Sequence, residues 1–295
     1  MANARALDKR RKSIRNIRKI TRTMELIATA RYKKAMDRAA ASTAYTEQIT
    51  KIVGRLAAAG LDVAHPLLEQ REKTNTARVL VLASNRGLCG GYNASILRTA
   101  QPRINELRET IPNVIVDAAG KRGVNGLAFR GIETDQQFFG FEDQPAYDEV
   151  EKIANGYLAE YITGQIDRLD VVYTKFISTG KQIATIETML PLGSLGDDEE
   201  ATSDQSSANV EYEFLPSAAS ILEEVVPTSF KVRLFKCFLD AAVSEQVARM
   251  IAMKGATESA GDMIKQLSMT YNRARQSQIT GEIMEIIGGV EALEG

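Results

Sequence analysis

Residues 14–36 read IRNIRKITRTMELIATARYKKAM and combine a helical spacing of apolar side chains with a strong positive charge. The stretch lies inside residues 1–53, which contain neither glycine nor proline. An uninterrupted helix of about 55 residues is about 80 Å long, at 1.5 Å per residue. A helix of that length needs lateral packing for most of its stability. The sequence therefore predicts a long N-terminal helix that packs against a partner.

Two heptad columns are the expected contact surface of this helix. One column contains Leu7, Ile14, Thr21, Ala28, Ala35, Ser42, Ile49 and Leu56, and the other contains Arg10, Ile17, Met24, Arg31, Arg38, Tyr45 and Ile52. Small and polar residues in the middle make this a weak coiled-coil pattern, because leucine is expected at such positions.

The C-terminal part of the chain predicts a second long helix, because no proline follows Pro227. A coiled-coil seam with steps of 3, 4 and 3 residues is formed by Ile264, Leu267, Tyr271 and Ala274. Three glycines interrupt the pattern and are interpreted as places of close helix approach or local bending: Gly255, Gly261 and Gly281. Since the two helices lie at opposite ends of the chain, an antiparallel pair is the simplest arrangement.

Between these helices the sequence alternates between strand and helix patterns. Strands are predicted at 77–84, 113–120, 170–178 and 182–190, and a helix at 147–166. The alternation favours a doubly wound, Rossmann-like α/β domain inserted into an antiparallel coiled coil of long terminal helices. The predicted domains are an N-terminal helix at 1–60, an α/β domain at 75–192, an acidic flexible loop at 193–213 and a C-terminal helix at 217–290.

The charge of the chain is unevenly placed, although the net charge is only −1. Residues 1–38 carry a charge of +10, whereas residues 197–213 hold seven acids and no base. Such separation suggests oriented contacts with more than one partner. No apolar run of about 20 residues is present, so no membrane span is expected. Two cysteines give no disulfide framework and fit a reducing compartment.

The segment SNRGLCGGYN at 84–93 follows a predicted strand and precedes a predicted helix, which is where phosphate-binding loops occur. It matches neither G-x-G-x-x-G nor G-x-x-x-x-G-K-[ST]. The favoured interpretation is a tight turn that needs glycine backbone freedom, with Cys89 as a packed thiol. The single histidine, His65, is interpreted as a loop residue. With three Cys and His residues in total, no metal-ligand cluster is predicted, and no cofactor is expected.

The basic N-terminal helix has several possible roles. A nucleic-acid binder would carry aromatic side chains beside the basic ones, but Tyr32 is the only aromatic residue before Tyr45. A transit peptide would show a processing boundary, and a membrane-surface helix would show a face of Trp, Phe and Leu. A solvated coiled-coil exterior needs less charge than this. The sequence therefore favours a protein partner with an acidic surface.

Four stretches of the sequence carry a resemblance that covers essentially the whole chain. They are IRNIRKITRTMELIATARYKKA at 14–35, SNRGLCGGYN at 84–93, SEQVARMIAMKGATES at 244–259 and YNRARQSQITGEIMEI at 271–286. With these motifs the chain resembles the gamma-subunit family of the F-type ATP synthases, the central rotor shaft. The resemblance implies an antiparallel helix pair inside a hexamer of alternating alpha and beta subunits.

The same resemblance implies the function and the partners. The α/β domain is expected near the membrane rotor ring of c subunits, with the epsilon subunit beside it and one copy of the chain per complex. Rotation of the ion-driven ring is transmitted to the hexamer so that ATP is made, or ions are pumped on hydrolysis. The chain is then a non-catalytic, peripheral subunit at the cytoplasmic face of a bacterial cell membrane, with no nucleic-acid partner.

By resemblance, Met24 matches a methionine beside an acidic lever of the beta subunit, and Arg275 with Gln276 matches a pair that contacts a beta loop. Ile279, Thr280 and Glu282 fall in the signature just beyond. On charge alone, further candidate lever contacts are Arg10, Arg31, Lys33 and Lys34. Two alternatives stay open: a nucleotide-dependent enzyme with 84–93 as its cofactor turn, and a nucleic-acid-binding helical hairpin.

Overall fold

The computed structural model describes residues 4–58, 66–68, 71, 73–141, 144–192 and 218–294. The chain forms two compact units: unit 1 contains Met1–Thr29 and Arg249–Gly295, and unit 2 contains Ala30–Ala248. The limits of the four domains named in the sequence analysis remain predictions. The predicted acidic loop at 193–213 lies outside the described residues, as does His65.

The described secondary structure consists of long terminal helices and an alternating α/β segment. In chain order the elements are α1 Ala4–Ala58, β1 Thr76–Leu82, α2 Tyr92–Thr110, β2 Asn113–Ala119, α3 Lys121–Ala128, β3 Gln137–Phe138, α4 Tyr147–Ile162, β4 Arg168–Ser178, β5 Lys181–Leu190 and α5 Ala218–Glu294. The predicted fold class, an α/β domain with long terminal helices, is confirmed.

The sheet of unit 2 has five strands in the order β3-β2-β1-β4-β5. Strands β1 to β4 are parallel to one another, and β5 pairs antiparallel with β4 at the edge. The doubly wound sheet is therefore mixed, because only two residues separate β4 from β5 and so short a connection joins antiparallel strands. One apolar core lies between the sheet and α2 with α3, and another lies between the sheet and α4 with α5.

Two short elements of unit 2 escaped the sequence analysis, α3 and β3. Helix α3 has eight residues, and its two glycines lower its helix propensity. Both glycines are needed for close packing, since an added Cβ would lie 2.3 Å from Leu97 at Gly126 and 2.9 Å from Ala83 at Gly123. Strand β3 has only two residues, which is too short for an alternating pattern to be recognised.

Within unit 1 the two terminal helices run antiparallel, as predicted. The hydroxyl of Thr257 donates to Thr21 Oγ1 at 2.9 Å, and the guanidinium of Arg11 lies 4.6 Å from the ring centroid of Tyr271. As the residue numbers rise along α1, the numbers of the contacting residues on α5 therefore fall.

The seam of this pair follows mainly the first of the two predicted columns of α1. Ala28 is fully buried and Ile14 and Thr21 are half-buried, whereas Arg10 and Ile17 of the second column are exposed. In unit 1 the prediction for this second column is therefore wrong at Arg10 and Ile17, whereas Met24 of the same column is half-buried. Other shielded side chains of α1 lie four residues after a member of the first column: Arg11 follows Leu7, and Glu25 follows Thr21. A straight α-helix with 3.6 residues per turn presents such an i, i+4 stripe to its neighbour.

The glycines of α5 do not mark a close helix approach. A Cβ added at Gly255 or Gly281 meets nothing within 4 Å, so this part of the interpretation is wrong. At Gly261 a Cβ would lie 3.8 Å from the guanidinium of Arg18, which is ordinary van der Waals contact.

Candidate functional site

The C-terminal end of α5 is exposed at every residue from Arg275 to Val290. Six large apolar side chains in this segment are between 43% and 67% exposed: Ile279, Ile283, Met284, Ile286, Ile287 and Val290. A contiguous apolar surface of this kind marks a protein–protein interaction site. Five of the predicted site residues lie in this segment, namely Arg275, Gln276, Ile279, Thr280 and Glu282.

The structure brings three of these five residues together. Arg275, Ile279 and Glu282 are spaced i, i+4 and i+7, and this spacing places them on one face of α5. They line a groove of about 680 Å³ with the first turns of α1. The groove does not include Gln276 or Thr280, which lie on a neighbouring stripe of the helix.

Asp8 on α1 sets the charge balance at this groove. Its carboxylate accepts from Arg11 at 2.7 Å and from Lys12 at 3.0 Å. The hydrogen bonds from Lys12 and Arg11 hold the pKa of Asp8 below its ordinary value. Two of the cations on this turn are therefore already paired with an acid.

A second groove of unit 1, of about 1150 Å³, is strongly basic. Its lining includes five cations: Lys12, Arg15, Arg18, Lys19 and Arg22. Arg22 pairs with Glu25 at 2.7 Å, whereas Arg15, Arg18 and Lys19 form no ion pair with any described residue. We name these five cations the basic groove. Unpaired cations lining a concave surface attract an acidic partner and orient its approach.

The basic groove was missed by the sequence analysis, which selected Arg10 in this part of the helix. Arg10 is exposed but does not line the groove. A signal was available in the sequence, because Arg15, Lys19 and Arg22 are spaced i, i+4 and i+7. That spacing predicts one basic stripe on a helix.

The remaining candidate lever contacts fall in both units. Met24 is half-buried in unit 1, one residue before the buried Glu25. Arg31, Lys33 and Lys34 belong to unit 2, where Arg31 is half-buried and both lysines are exposed. The structure therefore does not place the predicted basic contacts at one site.

The turn at 84–93 is a tight connection, as favoured from the sequence. Gly90 and Leu88 have positive φ angles, of 57° and 65°. Cys89 is 2% exposed, and the amide of Asn93 donates to its sulfur at 3.2 Å. Ser84 closes the turn by donating its hydroxyl to the carbonyl of Arg86 at 2.6 Å. Cys89 is thus a packed thiol.

The space beside this turn, where a doubly wound sheet binds its ligands, is taken by α5. The hydroxyl of Tyr92, at the start of α2, donates to the carbonyl of Ala241 at 3.1 Å. Ser244 of α5 donates to the carbonyl of Thr174, which lies in β4 two residues beyond the last pair with β1, also at 3.1 Å. A cofactor at this edge of the sheet would have to displace the helix, which argues against the enzyme alternative.

In the described ranges, no group of three or more His, Cys, Asp or Glu side chains is arranged to hold a metal ion. Among the helices that the structure describes, none combines the length and apolar character needed to span a bilayer.

Comparison with known proteins assigns the family. The sequence model of the family described as ATP synthase matches residues 3–293. The ATP synthase gamma chain of Rhodopirellula baltica is 88% identical over 296 residues, covering all of both chains. The ATP synthase gamma chain of Saccharopolyspora erythraea is 39% identical, covering 99% of this chain and 98% of the relative.

A solved structure shares the fold at low sequence identity. A chain of the Euglena gracilis mitochondrial ATP synthase, in a structure of its OSCP, F1 and c-ring, aligns with a TM-score of 0.63 and 18% identity. The alignment covers 98% of this chain and 94% of that chain. From the family match and these relatives, the chain belongs to the family of ATP synthase gamma chains.

Proposed function

We propose that the chain is the central rotor shaft of an F-type ATP synthase. It transmits rotation of an ion-driven membrane ring to a hexamer of alpha and beta subunits, so that ATP is made or ions are pumped on hydrolysis. Family membership supports this role, and so does the likeness of the fold to a rotor chain of the Euglena gracilis enzyme, with a TM-score of 0.61.

One observation carries the proposal, the surface of the helix pair in unit 1. It combines the basic groove with a fully exposed segment from Arg275 to Val290 that contains six large apolar side chains. A free protein in water keeps such side chains covered, so this surface is suited to enclosure by other subunits. The basic groove then faces an acidic surface of an enclosing subunit, which we propose is the lever of the beta subunit.

Particular residues take particular parts in this enclosure. Met24 lies beside the beta lever, and Arg275 with Gln276 contacts a loop of the beta subunit. The candidate lever contacts are Arg10, Arg31, Lys33 and Lys34. We add Arg15, Arg18 and Lys19, because they line the basic groove without an ion pair to any described residue.

The chain itself performs no catalysis in this proposal, since the nucleotides are held by the hexamer. The crevice at which a cofactor would bind is filled by α5 through the bonds of Tyr92 and Ser244. The α/β domain faces the membrane ring of c subunits and the epsilon subunit. One copy is present per complex, bound peripherally at the cytoplasmic face of a bacterial cell membrane.

The test measures Mg-ATP hydrolysis by the purified chain, first alone and then after mixing with alpha and beta subunits of the same organism. The proposal predicts no hydrolysis by the chain alone and a stable complex that hydrolyses ATP. Hydrolysis by the chain alone, or failure to form a complex, would contradict it. The matched control is a preparation of the same alpha and beta subunits without the chain.

A further inference from the structure

The edge of the sheet at which β1 ends has an unusual occupant. Strand order reverses between β1 and β4, and doubly wound folds bind ligands outside the carboxyl ends of the strands at such a point. Pairing between β1 and β4 stops at Val81 and Val172, whereas β4 continues to Ser178. Helix α5 lies at this crevice in the place of a ligand.

Two buried hydrogen bonds fasten α5 in the crevice. The hydroxyl of Tyr92 donates to the carbonyl of Ala241, and the hydroxyl of Ser244 donates to the carbonyl of Thr174. Tyr92 is 6% exposed and Ser244 is fully buried. Because water does not replace these bonds in a buried site, breaking either one leaves a polar group unsatisfied. The carbonyl of Thr174 lies beyond the last residue of β4 that pairs with β1.

Two ion pairs fasten the same helix to other elements of unit 2. Arg233 pairs with Glu187 of β5 at 2.8 Å, and Lys231 pairs with Glu151 of α4 at 2.9 Å. At 3.6 residues per turn, the directions of Lys231 and Arg233 differ by about 160° around the helix axis. Contacts on nearly opposite sides of a helix resist its rotation about that axis as well as its withdrawal.

The four contacts are spread along α5 from Lys231 to Ser244, which is about 20 Å of helix at 1.5 Å per residue. They reach four different elements: α2, β4, β5 and α4. If stability alone were required, the apolar core between the sheet and α5 would be enough to hold the helix. Directional polar bonds at separated points add resistance to twisting, which apolar contacts alone supply poorly because they are non-directional.

We propose that this crevice is the joint through which the α/β domain and helix α5 turn together, with Tyr92 and Ser244 as its positioning residues. This edge of the sheet thereby holds a helix and passes torque to it. The inference rests on the proposed rotor function and adds the place at which torque passes between the domain and the helix.

The experiment measures the angular fluctuation of a probe on the α/β domain, in a complex with alpha and beta subunits fixed to a surface through the hexamer. Glu109 is exposed on α2, so Glu109→Cys gives a labelling site, while the native Cys89 and Cys237 are buried. The variance of the probe angle is recorded during pauses between steps. This variance rises as the joint becomes softer, whereas a purely structural role leaves it unchanged.

The joint variant combines Tyr92→Phe with Ser244→Ala, and Tyr92→Phe alone serves if the pair assembles poorly. Losing these two polar ties to α5 is expected to raise the joint's share of the angular variance, by up to about twofold. The matched control is Tyr157→Phe, since the Tyr157 hydroxyl donates to Asp117 at 2.8 Å and joins α4 to β2 rather than to α5. The control is expected to keep the wild-type variance even though it loses a buried bond.

Thermal unfolding of each chain separates stiffness from stability. Both variants are expected to unfold at a lower temperature than the wild type, and only the joint variant is expected to fluctuate more. An unchanged variance in turning complexes of the joint variant would overturn the inference, as would an equal increase in the control. A wild-type complex that hydrolyses ATP without turning would overturn the proposed function and the joint with it.

Discussion

Asp240 of α5 is a buried carboxylate whose protonation is predicted to stabilise the chain. Asp240 is 6% exposed, and its carboxylate accepts no hydrogen bond from any described residue. The pKa of Asp240 is raised to about 6, mainly by burial and to a smaller extent by Glu187, although Lys236 and Lys175 act to lower it. The folded chain therefore binds this proton more tightly than the unfolded chain does.

The sign and size of the effect follow from proton linkage. The stabilisation is complete below the ordinary pKa of 3.8 and is lost as the pH rises through about 6. The difference of about 2 pKa units corresponds to about 3 kcal/mol, at 1.36 kcal/mol per unit. Between pH 7 and pH 5 the protonation of Asp240 is expected to add about 1 kcal/mol to the free energy of unfolding.

Asp240→Asn removes the charge with little change in shape. We expect the variant to be more stable than the wild type at pH 7, by about 1–3 kcal/mol, and this advantage to shrink by about 1 kcal/mol at pH 5. Urea unfolding of the variant and the wild type at pH 5, 6 and 7 measures the difference in their free energies of unfolding. The contributions of the other carboxylates to the pH dependence are the same in both chains and cancel in this difference. Asp262→Asn, at an exposed position of the same helix, is the control and should change stability by less than about 0.5 kcal/mol. An Asp240→Asn advantage that is constant with pH would refute the reasoning.

Other substitutions test packing and subunit contacts. Gly255→Ala should raise the free energy of unfolding by about 1 kcal/mol, because the added Cβ meets open space. Gly126→Ala should lower it by about 1–3 kcal/mol, because the added Cβ would lie 2.3 Å from the buried Leu97. Urea unfolding in which both variants shift the free energy in the same direction would be inconsistent with this packing. Met24→Lys should reduce ATP-driven ion pumping more than ATP hydrolysis, because it adds a cation close to the beta lever, and equal losses would count against that position. Arg275→Ala should weaken torque or assembly through loss of a charge-assisted contact of about 1.5–3 kcal/mol, and unchanged values of both would remove Arg275 from the site.

The elements that could be predicted from the sequence are those with a strong local signal. The absence of glycine and proline from residues 1–53 predicted α1. Continuous apolar runs predicted β1 and β4, and β1 and the first part of β4 are buried on both faces. Helix α3 could not be predicted in this way. Its glycines disfavour a helix locally, and contacts with Leu97 and Ala83, distant in the sequence, require them.

The sequence motif located the candidate site, but the charged residues of the sequence did not show which cations share a groove. The stretch at 271–286 led to an exposed face of α5 that includes Arg275, Ile279 and Glu282. A count of cations does not say which of them share a groove, so Arg10 was selected and Arg15 and Lys19 were not. The occupant of the crevice was also out of reach, because Tyr92 and Ala241 are 149 residues apart.

The most direct test of the central claim is to watch the chain turn. A probe at Glu109→Cys is followed in a surface-fixed complex with alpha and beta subunits while Mg-ATP is hydrolysed, with hydrolysis measured on the same preparation. The account predicts rotation in one direction that stops when ATP is removed. A complex that hydrolyses ATP at its full rate while the probe stays fixed would contradict the assignment of this chain as the rotor.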